Sequence, residues 1–161
     1  MVLNPFRSRN RTPRQEKLRA LSLFVDLAPT ELAIVDGLLH ERDYLKGEVV
    51  FDEGEEGQAI YIVLDGGMLI CRQGEPDSGR FATLGPGTFF GDVALLDDSP
   101  RTAQARAAEN SRLAVFFRAD FLGLMETHAV IASKISLQLA RSMGRRLREA
   151  ALGSPTAHRH L

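Results

Sequence analysis

Apolar residues change their spacing twice along this chain. From Arg14 to His40 they recur at helical intervals: Leu18, Leu21, Leu23 and Phe24 first, then Leu32, Ile34, Val35, Leu38 and Leu39. Pro29 opens the second helix, because its locked φ and missing N–H suit a first turn, and Glu31 favours the same end. From Tyr44 to Phe117 the apolar residues come instead in short runs broken by glycine, the habit of strands joined by turns. Tyr44–Phe51 reads as two short strands broken at Gly47. Ala59–Leu64, apolar almost throughout, reads as a strand buried on both faces. Asp65-Gly66-Gly67 predicts a hairpin that returns into Met68–Arg72, and Gln73–Gly79, with Pro76, predicts a polar loop. Further strands fall at Arg80–Leu84, Thr88–Phe90, Gln104–Ala107 and Arg112–Phe117. About eight short strands at this spacing predict a mainly β sandwich or barrel.

Beyond Phe117 the helical spacing returns. Phe121, Leu122, Leu124 and Met125 mark a short helix, and residues 128–151 a longer one. At about 100° per residue, Ile131, Ile135 and Leu139 share one face of it, while Ala140, Met143 and Leu147 drift to another. One half is therefore expected to pack on the barrel, and the other to cover a ligand or meet a second subunit. Arg141, Arg145, Arg146 and Arg148 read as the solvated side. The organisation expected is a flexible basic leader over 1–13 (Arg7, Arg9, Arg11), one domain over 14–151, and a mobile tail over 152–161.

Composition narrows the function. The chain has 161 residues and a net charge of −1, so no overall field draws it to nucleic acid. Cys71 is the only cysteine, too few for a disulfide, zinc or iron–sulfur site within one chain. No apolar signal core is present, and no run approaches the ~18 apolar residues of a membrane span; a cytoplasmic location is expected. The histidines are His40, His128, His158 and His160. None falls on a predicted strand, so no metal site lining a barrel is expected, and nothing suggests an enzyme.

The chemistry concentrates between Phe89 and Ala103. Gly91 lets backbone approach a ligand, the turn from Gly91 to Ala94 presents N–H groups, Asp92 supplies a carboxylate, and Arg101 follows Pro100. A guanidinium that donates two parallel N–H groups suits a phosphate. A carboxylate beside it suits a hydroxyl, so the stretch fits a ligand that carries both. In an empty site Arg101 is expected to stay hydrated or to borrow Asp97 or Asp98.

Phe89-Phe90-Gly91-Asp92-Val93-Ala94-Leu95 followed by Pro100-Arg101-Thr102-Ala103 resembles the phosphate-binding cassette of cyclic nucleotide-binding domains. The resemblance extends to Gly47–Phe51, Glu53-Gly54, Tyr61–Val63, Gly66 and Gly87. It implies an eight-stranded jelly-roll barrel with flanking N-terminal and C-terminal helices, and a cyclic AMP or cyclic GMP ligand without cofactor or metal. It also implies backbone contacts from Gly91, Val93 and Ala94, a ribose contact from Asp92, and phosphate contacts from Arg101 and Thr102. Many bacterial relatives continue into a helix-turn-helix, but only ten residues follow Ala151, so no DNA contact is expected. The output is expected to pass to an unidentified protein partner as ligand repositions the C-terminal helix, with a homodimer through that helix as a further possibility. The family has Glu where Asp92 stands. The alternative is therefore a degenerate domain that binds no nucleotide and serves protein contacts.

Overall fold

The two spacings of the sequence separate in space, strands into two stacked sheets and helices against one of them. The computed structural model of the protein describes residues 11–153. The N-terminal helices are α1 (Pro13–Arg19) and α2 (Pro29–Asp36), with a 3₁₀ turn at Ser22–Phe24 between them. Thr12 caps α1: its Oγ1 accepts from the Gln15 amide at 3.2 Å, and Gln15 Oε1 accepts from the Thr12 amide at 3.3 Å. Pro13, assigned to the leader by sequence, is thus the first residue of α1. Residues 1–10 of that leader, and the tail beyond Gly153, lie outside the described residues.

Eight strands follow: β1 (His40–Tyr44), β2 (Val49–Phe51), β3 (Ala59–Asp65), β4 (Met68–Arg72), β5 (Glu75–Leu84), β6 (Phe89–Phe90), β7 (Gln104–Ala107) and β8 (Ser111–Phe117). They form two antiparallel four-stranded sheets, β1-β8-β3-β6 and β2-β7-β4-β5. The chain closes with α3 (Arg118–Thr127) and α4 (Ala129–Ala151). This is the expected jelly roll with helices at both ends.

Alternation along β3 explains why that strand reads as one apolar run. Ile60, Ile62 and Leu64 join the core beneath the helices, with Phe116 of β8, Phe121 of α3 and Ile135 of α4. Val63, between them, joins the core that separates the sheets, with Phe51, Met68, Ile70, Phe90 and Leu113.

Three expectations fail in instructive ways. Asp65-Gly66-Gly67 is not a hairpin between paired strands: β3 pairs with β6 and β8, whereas β4 pairs with β5 and β7. The turn carries the chain from one sheet to the other. Gly66 has φ +85°, and a Cβ there would lie 2.3 Å from Ser111 Oγ. Ser111 Oγ ties this crossing down by accepting from the Gly67 amide at 3.0 Å. The true hairpin is β4–β5, closing where Arg72 pairs with Glu75, so most of the expected Gln73–Gly79 loop is strand. Third, β1 escapes the sequence reading because its residues are polar and almost wholly exposed. His40 therefore does lie on a strand. Its Nε2 sits 3.8 Å from Asp120 Oδ2, and its ring packs edge-on against Phe117.

Candidate ligand-binding site

The short strand β6 ends at Gly91, which adopts φ +73° and starts a 3₁₀ turn over Asp92–Leu95. Two features there require glycine: the left-handed backbone, and the space a Cβ would take, 2.4 Å from Arg101 Nη1. Within the turn the Ala94 amide is already used, donating to Gly91 O at 3.3 Å. Ala94 and Asp92 are buried, and Val93 and Gly91 are half-buried.

Arg101 is held at both ends. Its own amide donates to Glu55 O, and its carbonyl accepts from the Gly54 amide, both at 2.8 Å. These bonds, with the bridge Glu56–Pro100, lock the arginine onto the turn between β2 and β3. The side chain then runs inward. Nη1 donates to Gly91 O at 3.0 Å and Nη2 to Ala59 O at 2.7 Å. The guanidinium carbon lies 4.1 Å from the centre of the Phe51 ring and 5.8 Å from that of Tyr61, and Tyr61 stacks on Phe90. A Cβ at Gly57 would reach 3.3 Å from the same carbon.

Neither Asp97 nor Asp98 serves Arg101, so of the two arrangements expected from sequence, the borrowing of either carboxylate is not the one found. Asp98 pairs with Arg118 Nη1 at 2.5 Å, and the Asp97 carboxylate accepts from the Ser99 amide at 3.0 Å. Arg118 Nη1 also donates to Asp97 O at 2.7 Å, so it staples the cassette loop to the start of α3. Backbone carbonyls take the place of a counter-ion. They use one N–H on each terminal nitrogen and leave the buried Nε–H of Arg101 without a protein acceptor. Burial pushes the guanidinium below its ordinary pKa, against smaller opposing effects of Tyr61, Glu55 and Asp92.

A cavity of about 580 Å³ opens beside this group. Gly91, Asp92, Val93, Ala94, Arg101 and Thr102, the six residues singled out by sequence, all line it. Its far wall comes from α4: Ser142, Arg145, Arg146 and Glu149. Arg146 is the correction that matters most. Its side chain is only 15 % exposed, and Nη2 donates to Asp92 Oδ2, the carboxylate assigned to the ribose, while Asp92 is almost fully buried. The same nitrogen donates to Ser142 Oγ at 3.3 Å. A signal for this was present. Ile135, Leu139, Ser142 and Arg146 follow one another at four, three and four residues, so the buried face of α4 continues straight to Arg146. Following apolar residues alone led away from it, to Leu147, which is 72 % exposed.

Among the described residues no group of three or more His, Cys, Asp or Glu side chains could hold a metal, and no helix is long and apolar enough to cross a membrane. His158 and His160 lie outside those residues.

Comparison with known proteins agrees with this geometry. Residues 41–128 match the family model described as "Cyclic nucleotide-binding domain", which covers more than half of the chain. The chain belongs to that family. It is 37% identical over 136 residues to the cyclic AMP receptor protein of Thermus thermophilus, covering 84% of this chain and 61% of that protein. It is 29% identical over 140 residues to a cAMP-dependent protein kinase regulatory subunit of Mycosarcoma maydis, covering 80% of this chain and 27% of the subunit. The crystal structure of the Thermus thermophilus catabolite activator protein superposes with a TM-score of 0.72 at 36% identity, over 82% of this chain and 61% of that one. The chain thus spans about three fifths or less of the length of these relatives.

Proposed function

We propose that this protein binds a cyclic nucleotide, cyclic AMP or cyclic GMP, and passes the signal to a protein partner through α4. One observation carries the reading: a half-buried arginine, seated by backbone and aromatic rings, whose buried Nε–H has no protein acceptor and to which no carboxylate is paired among the described residues. Burying such a cation is costly until an anion joins it. The cyclic phosphate supplies one negative charge, and only two of the five guanidinium N–H donors are taken by the carbonyls of Gly91 and Ala59. Membership of the family supports the ligand class, and the polar wall on α4 supports the route of the signal.

The same helix offers a face for pairing with a second copy of the chain. Val130, Leu137 and Leu147 are exposed on α4 at 65%, 49% and 72%, a seam that suits a second copy of the helix. The competing reading, a domain of this fold that binds no nucleotide and serves protein contacts, has one observation in its favour: the Asp92 carboxylate is already paired with Arg146.

Calorimetric titration of wild type and Arg101→Ala with cyclic AMP and with cyclic GMP separates the two readings. Loss of one partner of a desolvated charge pair costs roughly 2–5 kcal/mol, on the order of thirtyfold to a few thousandfold in affinity. Arg101→Lys should recover only part, because an ammonium cannot reproduce the guanidinium's planar set of donors. Thermal melts alongside show whether the fold survives. Wild type that binds neither nucleotide, or Arg101→Ala that binds as well as wild type, would sink the proposal.

A further inference from the structure

The geometry points to Arg146 as an internal competitor for the ligand, a strap that holds Asp92 in the empty protein and must let go for the ribose to reach it. This rests on the nucleotide reading above and adds a regulatory step to the same site.

The observations converge from both ends of the pair. Asp92 is almost fully buried, and a buried carboxylate needs a partner. Its partner here is a guanidinium from a different element, 54 positions along the chain, on the helix that forms the cavity's opposite wall. A carboxylate oxygen that receives this charged donor is less available to a ligand hydroxyl, which is a weaker, neutral donor. The ligand therefore faces a site whose arginine at the phosphate end has no carboxylate partner among the described residues and whose carboxylate at the ribose end is occupied. Aspartate contributes to the arrangement. It is one methylene shorter than the family's glutamate and meets the guanidinium that comes from α4.

The strap also has a place to yield. Gly144 lies two residues before Arg146, in the interior of α4, where glycine weakens a helix relative to other residues. Up to that point α4 is anchored elsewhere: Ile131, Ala132, Ile135 and Leu139 sit in the core, and Lys134 Nζ bonds Glu31 Oε1 at 2.7 Å. Beyond it no residue of α4 is buried. Breaking the Arg146–Asp92 contact would free the last turns of the helix without disturbing the core. Ligand binding and release of the helix end become one event, with the ribose hydroxyl replacing the arginine on Asp92.

An arginine that simply caps the ligand predicts the opposite mutational sign. If Arg146 competes, Arg146→Ala should tighten binding of cyclic AMP or cyclic GMP. The gain should be about tenfold, the lower end expected for a hydrogen bond to a charged group. Arg146→Gln, which keeps a neutral donor, should fall between. The ligand-free proteins give a second, independent readout: in Arg146→Ala and in Asp92→Asn, amide exchange after Gly144 should accelerate while that of residues 131–139 stays as in wild type. Weaker or unchanged nucleotide binding by Arg146→Ala overturns the competition and makes the arginine a ligand contact or a bystander. Unchanged exchange in both ligand-free variants overturns the strap whatever the titrations give. Wild type and Arg146→Ala that both fail to bind either nucleotide overturn the nucleotide reading, an outcome the exchange data distinguish from failure of the strap.

Discussion

The two halves of α4 are attached to the same protein by different physics. The first half, up to Arg141, buries Ile131, Ile135 and Leu139 beneath the N-terminal helices and adds polar ties at its edges, Lys134 to Glu31, and Gln138 and Arg141 to Asp26. The second half has no fully buried residue; its Arg146, largely covered, pairs with Asp92 beside an open cavity. Apolar burial is nondirectional, and none of these anchoring residues lines the cavity, so the attachment of the first half makes no use of what the site holds. A charge pair across a cavity can be exchanged for contacts with whatever enters. A single helix can therefore be anchor and moving part at once, provided the change in attachment falls within a few residues. Here it falls around Gly144.

The largest effect that would break this contrast is expected at Ile135. Its side chain is fully buried in the helix-side core. Ile135→Ala should cost about 2–5 kcal/mol of stability, through lost burial and the cavity left behind. Leu147→Ala, its counterpart in the exposed half, should change stability by less than about 0.5 kcal/mol. Chemical denaturation of both variants measures the difference. Equal losses would mean that the second half is packed as firmly as the first.

A smaller effect is expected at the junction. An alanine Cβ at Gly144 would lie 3.6 Å from Arg148 Nη1, an ordinary contact, so the substitution is sterically free. Gly144→Ala should stabilise the helix by about 0.8–1.0 kcal/mol. If the junction must loosen for the helix end to leave the site, the same change should weaken nucleotide binding by up to about fivefold. Affinity equal to wild type would show that the second half departs as an intact helix, and would sharpen the contrast into a rigid swing rather than a local melting.

How much of this was readable beforehand follows the same division. Elements whose chemistry is local were legible. Pro29 announced α2, the apolar run announced β3, and the six residues picked out between Gly91 and Thr102 are among those that line the cavity. What depended on distant partners was not. The glycines at 66 and 67 signal a tight turn, but whether that turn pairs its flanking strands or passes between sheets is decided by β7 and β8. The polar strand β1 carries no alternation because it lies exposed on the edge of its sheet, and only pairing with β8 defines it. Phe51 and Tyr61 were visible as aromatic positions, yet their service to Arg101 requires the barrel to bring β2, β3 and the loop before β7 together. Arg146 was missed because charge on a helix usually means solvent, and only the cavity explains why this arginine turns inward.

The smallest expected effect tests the anchor through pH. Lys134 Nζ donates to Glu31 Oε1 at 2.7 Å, and the Ala28 amide donates to the same oxygen at 2.8 Å. Together they hold the Glu31 carboxyl below its ordinary range, chiefly through the Lys134 hydrogen bond, against a smaller opposing cost of burial. A carboxyl with a lowered folded-state pKa contributes stability that is fully present above its unfolded value, about 4.3, and is lost as pH falls through the folded value. The tie between α2 and α4 should therefore be intact near neutrality and fail only in acid. An ion pair close to the surface contributes no more than about 1 kcal/mol, so the signal is a difference between melting curves. Between about pH 6 and pH 3 the melting temperature of wild type should fall further than that of Glu31→Gln, which has no carboxyl to protonate. Nucleotide affinity near neutrality should be the same in both proteins, because the anchor lies on the far side of Gly144 from the strap. Parallel acid profiles would remove Glu31 from the anchor. A change in affinity would couple the two halves of α4 and end their separation.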